Sequence, residues 1–254
     1  MPKLGDLLPF RPMPTELFPY IGAFIVGFGK AGFASGISLL QAPLIAYAVP
    51  ARTAIGLVMP LLILADFLAI GAFWKKWDFS RVRWPLIGCV PGIGLGMVFV
   101  NSVSDILLRR SLGVLALFLT GLLIIRDIWY PSKTYNPSWW QGAAVGMFAG
   151  FCSTVAHAAG PIMALYLIAQ KLDKKTFVAT SAIFFLITNL LKFPPYVAAG
   201  LVDGEILKAA LKLAPMVPLG ILVGWLLNRA IPQKYFVPIV YVLLVIAGVD
   251  LAFR

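Results

Sequence analysis

Apolar residues run through this chain in long blocks, separated by short polar connections. Eight blocks can be counted, at about residues 17–49, 54–74, 84–101, 106–129, 139–170, 176–199, 206–228 and 235–253. A helix that crosses the hydrocarbon core of a bilayer needs about 20 apolar residues. The pattern therefore predicts an all-α, polytopic membrane protein. The connections hold the charges: Lys75, Lys76, Arg81 and Arg83, then Arg109 and Arg110, Arg126 and Lys133, Lys171, Lys174 and Lys175, and Arg229 and Lys234. Trp74, Trp77, Trp84, Trp129, Tyr130, Trp139 and Trp140 cluster at block ends, as aromatic residues do at headgroup depth.

Two blocks are too long for one crossing. As straight helices, 17–49 and 139–170 would each extend about 48–50 Å against a core of about 30 Å. Each is too short for two crossings and is interrupted, by Gly27, Gly29, Gly32, Gly36 and Pro43 or by Gly146, Gly150, Gly160 and Pro161. A broken or re-entrant segment solves the length problem. Its freed backbone groups must then face protein, water or a ligand.

The two long blocks look like copies. Ala31-Gly32-Phe33-Ala34-Ser35 aligns with Ala149-Gly150-Phe151-Cys152-Ser153 at an offset of 118, which also puts Pro43 on Pro161. Ala54 and Asp78 match Ala179 and Asp203 at 125, and Gly92, Ile93 and Gly96 match Gly220, Ile221 and Gly224 at 128. The expected organisation is an N-terminal tail (1–16), a first repeat (17–130), a linker (131–138) and a second repeat (139–254), each repeat having four segments. If the broken segments are re-entrant, each repeat crosses three times and the repeats are inverted. If they span, each crosses four times and the repeats are parallel. Leaving out Lys30 and Lys192, both arrangements distribute Lys and Arg as 11 against 8, so positive charge does not choose between them. Inverted repeats are favoured because they put the Lys171–Lys175 cluster on the same side as the Lys75–Arg83 loop.

Composition agrees with the pattern. The chain is 61% hydrophobic and 12% charged, where soluble chains have about 45–50% and about 25%. So few charges cannot clothe a water-facing surface, so lipid is the expected solvent. The formal charge of +11 could suggest nucleic acid, but the basic residues sit between apolar blocks, where they meet anionic headgroups. No soluble domain is available to carry nucleic-acid binding. Residues 1–16 carry Lys3, Asp6, Arg11 and Glu16, and the apolar block that follows outruns a signal-peptide core of about 7–15 residues. The first block is therefore expected to stay in the mature protein. Cys89 and Cys152 lie within apolar blocks with neither metal-ligand nor disulfide-framework spacing, and no cofactor or metal is expected.

Few polar groups lie deep in the blocks, and a charge at bilayer depth costs about 2.5–3.5 kcal/mol on insertion scales. They are Lys30, Ser35, Ser38 and Gln41 in the first broken segment, and Asp66 in the block after it. Ser153, Thr154 and His157 lie in the second broken segment, and Thr180, Thr188, Asn189 and Lys192 in the block after that. Lys30 precedes the first break by about one turn and reads as an anion ligand or as a lysine snorkelling to the interface. His157, the one histidine, reads as an anion ligand, a proton relay or a packing residue. Asp66 and Lys192 fall at matched places, offset 126, and read as an ion pair, a proton site or substrate contacts. The candidate substrate-binding set is Lys30, Ser35, Ser38, Gln41, Ser153, Thr154, His157, Asn189 and Lys192. Asp66 and His157 are the candidates for proton coupling.

Gly27-Phe-Gly-Lys-Ala-Gly-Phe-Ala-Ser-Gly36 with Pro43 resembles the first motif of the TauE/SafE sulfite exporter family. Ala149-Gly-Phe-Cys-Ser-Thr154 with Gly160-Pro161 resembles its second, and Phe177-Val-Ala-Thr180 and Asn189 with Lys192 are similar to its downstream positions. The resemblance covers nearly the whole chain. It departs at Lys30, Phe33 and Ala34, where similar proteins carry a denser glycine run. It implies a multi-pass protein of the cell inner (plasma) membrane that exports sulfite, sulfoacetate, thiosulfate or related organosulfonates.

The leading expectation is a secondary transporter of small anions, working by alternating access at a central site, and not an enzyme. Its partners are a small anionic substrate and the lipid bilayer. Assembly into a homo-oligomer is compatible with the sequence. No phosphate-binding loop is present for direct ATP drive. Two rival readings are an intramembrane serine hydrolase built on Ser35 and His157, which a second, aligned serine at 153 disfavours, and a passive anion channel with the same site chemistry.

Overall fold

The computed structural model describes residues 16–30, 37–72, 74–129, 136–230 and 233–253, and every regular element among them is helical. In chain order these are α1 (Leu17–Lys30), a 3-10 turn (Ile37–Leu40), α2 (Gln41–Ala46), α3 (Ala51–Ala72) and a second 3-10 turn (Phe79–Arg81). There follow α4 (Arg83–Ser102), α5 (Asp105–Trp129), α6 (Trp139–Ala156), α7 (Ala159–Ile168), α8 (Lys174–Ala198), α9 (Gly204–Leu213), α10 (Met216–Ala230) and α11 (Gln233–Phe253).

Among the described residues, five stretches are long and apolar enough to cross a membrane: Ala51–Gly71, Arg83–Ser102, Asp105–Ile125, Lys175–Ala198 and Gly204–Leu227. Leu17–Lys30, Ile37–Ala46 and Ala159–Ile168 are shorter apolar helices. The second overlong block divides at His157-Ala158, with Gly146 and Gly150 inside α6 and Gly160 and Pro161 in the first turn of α7, and Pro43 of the first block lies inside α2. In the first, Ser35, Gly32 and Gly36 lie outside the described residues. The block at 206–228 is one span made of two helices, α9 and α10, that meet at Ala214-Pro215. Proline lacks the N–H for a helical bond.

Glycine decides how the helices pack. Without a hydrophobic drive between helices in lipid, association rests on close van der Waals contact, which small residues permit. A Cβ at Gly88 or Gly92 of α4 would stand 1.9 or 2.1 Å from the Ala143 or Met147 carbonyl of α6. A Cβ at Gly146 or Gly150 would meet the Pro85 or Cys89 carbonyl at 1.9 or 2.5 Å. The α1–α10 contact is made the same way, with Gly27 on the Val217 carbonyl (1.9 Å) and Gly220 on the Phe24 carbonyl (2.1 Å). α3 packs on α8, and α5 packs on α11.

Two of the four α4–α6 approaches have the same form as the two between α1 and α10: Gly150 lies on Cys89 as Gly27 lies on Val217, and Met147 lies on Gly92 as Phe24 lies on Gly220.

One face of the molecule gathers the turn before α4, the residues before α6 and the end of α7. Arg81 donates to Asp78 (3.2 Å), Asn136 (3.4 Å) and Gln170 (3.4 Å). The Asp78 backbone N–H donates to Thr180 Oγ1 on α8 at 2.9 Å. The Ser80 hydroxyl, bonded to Asp78 at 2.5 Å, is the largest influence holding that carboxyl below the usual range. A second face gathers the start of α3, the start of α5 and the turn after α8. Asp105 accepts from the Ala51 and Arg52 N–H groups (3.1 and 3.0 Å), satisfying two donors at the start of α3. Gly56 lies against the Leu201 carbonyl, which a Cβ would meet at 1.9 Å.

Candidate functional site

The site is built where α6 stops. His157 takes the left-handed conformation (φ 53°, ψ 33°), and its N–H and that of Ala158 return to the Ser153 and Cys152 carbonyls at 3.0 and 3.2 Å. This closes the helix in the manner usually left to glycine, at a steric cost of about 1–2 kcal/mol for a residue with a Cβ. After Ala158 the chain restarts as α7.

Side chains from other helices satisfy the carbonyl end of α6. Lys192 Nζ donates to the Ser153 carbonyl at 3.0 Å, and Tyr196 Oη to the Thr154 carbonyl at 2.5 Å. Gln41 Nε2, at the start of α2, donates to the His157 carbonyl at 3.2 Å. A cation at this end also meets the negative pole of the helix dipole.

Lys192 has two further acceptors, Ser153 Oγ at 2.9 Å and His157 Nδ1 at 3.1 Å. The other ring nitrogen, Nε2, lies 2.8 Å from the Ile55 carbonyl of α3. A carbonyl only accepts, so Nε2 carries the proton, and Nδ1 presents its lone pair to the ammonium. The imidazole is therefore neutral in this arrangement and holds Lys192 in place. Lys192 is completely buried, and its three hydrogen bonds go to uncharged acceptors.

A second cluster lies against the first. Lys30, the last residue of α1, donates to Asp66 Oδ1 on α3 at 2.5 Å, and Asn189 Nδ2 on α8 donates to Asp66 Oδ2 at 2.6 Å. Asp66 is fully buried, and the Lys30 side chain is 15% exposed. The Lys30 ammonium also lies 4.6 Å from the centre of the Phe185 ring, a favourable cation–π placement. Asn189, Lys192 and Tyr196 follow one another at helical spacing, so one face of α8 joins the clusters. With Lys30, Asp66 and Lys192 all ionised, the pocket has two cations and one carboxylate, an excess of one positive charge.

Of the residues expected from the sequence, Lys30, Asp66, Asn189, Lys192, Ser153, His157 and Gln41 come together. Thr154 contributes its carbonyl, while its hydroxyl bonds back to the Gly150 carbonyl at 2.8 Å. Ser38 lies in the 3-10 turn, its Cβ 3.4 Å from where a Cβ on Gly29 would stand. Ser35 lies outside the described residues. Two participants went unread: Tyr196 and the Ile55 carbonyl. Tyr196 was legible as the third member of the Asn189–Lys192 face. A backbone carbonyl leaves no signal in the residue types.

Comparison with known families gives one match, and it is extensive. The family model described as "Sulfite exporter TauE/SafE" matches residues 20–251. No curated protein and no solved structure matches.

Proposed function

The chain belongs to the sulfite exporter TauE/SafE family, and on that premise we propose that it carries small sulfur-containing anions, sulfite or organosulfonates, across the membrane through the Lys192 site. The observation that carries this is a fully buried lysine whose ammonium meets no carboxylate among the described residues: Lys192 bonds to uncharged acceptors, and the carboxylate of Asp66 already bonds Lys30. A monovalent oxyanion balances the charge of an ionised Lys192 and accepts from ammonium, amide and hydroxyl donors alike. His157 serves as a positioning residue, and proton coupling, if the cycle uses it, falls to Asp66. Both ring nitrogens of His157 are engaged, which argues against the imidazole acting as base for a serine nucleophile.

The cycle we propose is alternating access between two inverted repeats. Helix pairing supports the repeat: α1 packs on α10 as α6 packs on α4, while α3–α8 and α5–α11 each join a helix to its own counterpart. Such self-paired contacts are what a pseudo-twofold axis produces. Three contacts support inversion. Arg81 bonds Gln170, the Asp78 N–H bonds Thr180, and Gly56 lies on the Leu201 carbonyl. With spanning broken segments and parallel repeats, each of these pairs would be divided between opposite sides of the membrane. With re-entrant segments each pair shares a side. α1–α2 and α6–α7 then enter from opposite faces and meet at the centre, where Gln41 bonds His157. Transporters of this kind place their sites at such repeat interfaces, beside discontinuous helices.

The test is flux in liposomes. Wild-type protein is expected to move sulfite or an organosulfonate with saturation and counterflow, behaviour that a passive channel lacks. Lys192→Met and His157→Ala are each expected to reduce that flux about tenfold or more, roughly 1.4 kcal/mol. Unchanged flux in both variants refutes the assignment.

A further inference from the structure

Resting on the anion-carrier reading above, we propose that Asp66 is a built-in competitor for the substrate: the transported oxyanion and the Asp66 carboxylate take turns on Lys30 and Asn189. The two donors on Asp66 are the kind a small oxyanion needs, a partly buried ammonium at 2.5 Å and a side-chain amide at 2.6 Å. A carboxylate is itself a small oxyanion of single charge, so the internal group and the cargo have the same recognition chemistry. Asn189 lies one helical turn from Lys192 on α8, and an anion on Lys192 is therefore within a turn of a donor that Asp66 occupies.

Charge balance gives the exchange its direction. An anion arriving at Lys192 neutralises the excess positive charge of the pocket. Moving on to Lys30 and Asn189, it leaves the Asp66 carboxylate needing a cation, and Lys192 is the ammonium whose remaining partners are neutral. Lys30 is also the more accessible of the two, 15% exposed against none for Lys192. It suits the group that releases or receives cargo. The carboxylate then returns to Lys30 and helps to expel the anion. No bond is made or broken and no proton need move. In this reading Asp66 sets the balance between tight binding and fast release.

Asp66→Asn removes the competitor and keeps the shape. The experiment measures sulfite affinity of purified protein from concentration-dependent thermal stabilisation, since a ligand of the folded state raises its stability by mass action. Sulfite counterflow in liposomes is measured alongside. The expected result is an affinity about tenfold tighter together with counterflow about tenfold slower, while Asp66→Glu stays near wild type in both. A folded Asp66→Asn variant that binds sulfite no more tightly overturns the proposal. Should that variant not fold, Lys30→Met/Asp66→Asn removes both charges together. It is expected to bind sulfite about fivefold more weakly because Lys30 is lost as a ligand, and an unchanged affinity overturns the proposal. A wild-type protein that binds no small anion overturns the carrier reading and this proposal together. Wild-type binding without the tightening overturns this proposal alone.

Discussion

At the end of α1, Lys30 bonds Asp66 on α3; at the end of α6, Ser153 is bonded by Lys192 on α8. In the repeat proposed above, matching Gly27 to Gly150 puts Lys30 on Ser153, and Asp66 falls on Lys192 at offset 126. The two regions share a framework and differ in charge. In the first, cation and anion neutralise each other. In the second, the helix-end residue is neutral and the lysine is left positive. A duplicated framework alone would give two equal sites. Replacing one pair's charges gives a pocket in which one half stores a counter-ion and the other presents a cation.

If that contrast is right, breaking the first pair is the larger insult to stability. Lys30→Met leaves the buried Asp66 carboxylate with Asn189 as its remaining direct partner, and removing one member of a buried ion pair costs about 3–5 kcal/mol. Adding Asp66→Asn in the same chain is expected to restore most of that loss, because no uncompensated charge then remains. Unfolding in detergent, followed by circular dichroism, gives the double-mutant cycle. Additive losses would mean that the two residues do not act as a pair.

Lys192→Met is expected to cost less, below about 2 kcal/mol, although it is expected to reduce sulfite flux about tenfold or more. The change strands Ser153 Oγ and His157 Nδ1, at about 1–3 kcal/mol for each unsatisfied buried group, but it also removes an ammonium that had to be desolvated. The same unfolding assay decides. A loss exceeding that of Lys30→Met would show that the second region is the structural pair and the first the functional one.

How much of this was legible in the sequence depends on what kind of information each feature needs. The spans follow from apolar block length, and so does the need for a break in each overlong block, but the second break falls at His157-Ala158 and not at a glycine or proline. Asp66, Asn189 and Lys192 could be read because polar groups at bilayer depth are too costly to stand without a partner. Repeat orientation could not, since counts of Lys and Arg balance equally under both models. It is the bond of Arg81 to Gln170 that bears on it. The role of His157 likewise depends on the Ile55 carbonyl, which any residue at that position would supply.

The smallest effect tests whether the contrast extends beyond the charges. Tyr196 caps the Thr154 carbonyl at the end of α6, and at the offset that relates Asp66 to Lys192 its counterpart on α3 is Ile70, which has no donor. Ile70 therefore supplies no such cap. Tyr196→Phe keeps the ring and removes one hydrogen bond, at a cost of about 0.5–1.5 kcal/mol. Lys192 still holds Ser153, so sulfite flux is expected to stay within about threefold of wild type, roughly 0.7 kcal/mol. A stability loss with flux preserved assigns Tyr196 to the framework and leaves the asymmetry of function with Lys30, Asp66 and Lys192. Flux reduced as far as in Lys192→Met would instead make the phenol part of the anion site, and the contrast between the halves would then rest on hydrogen bonding as much as on charge.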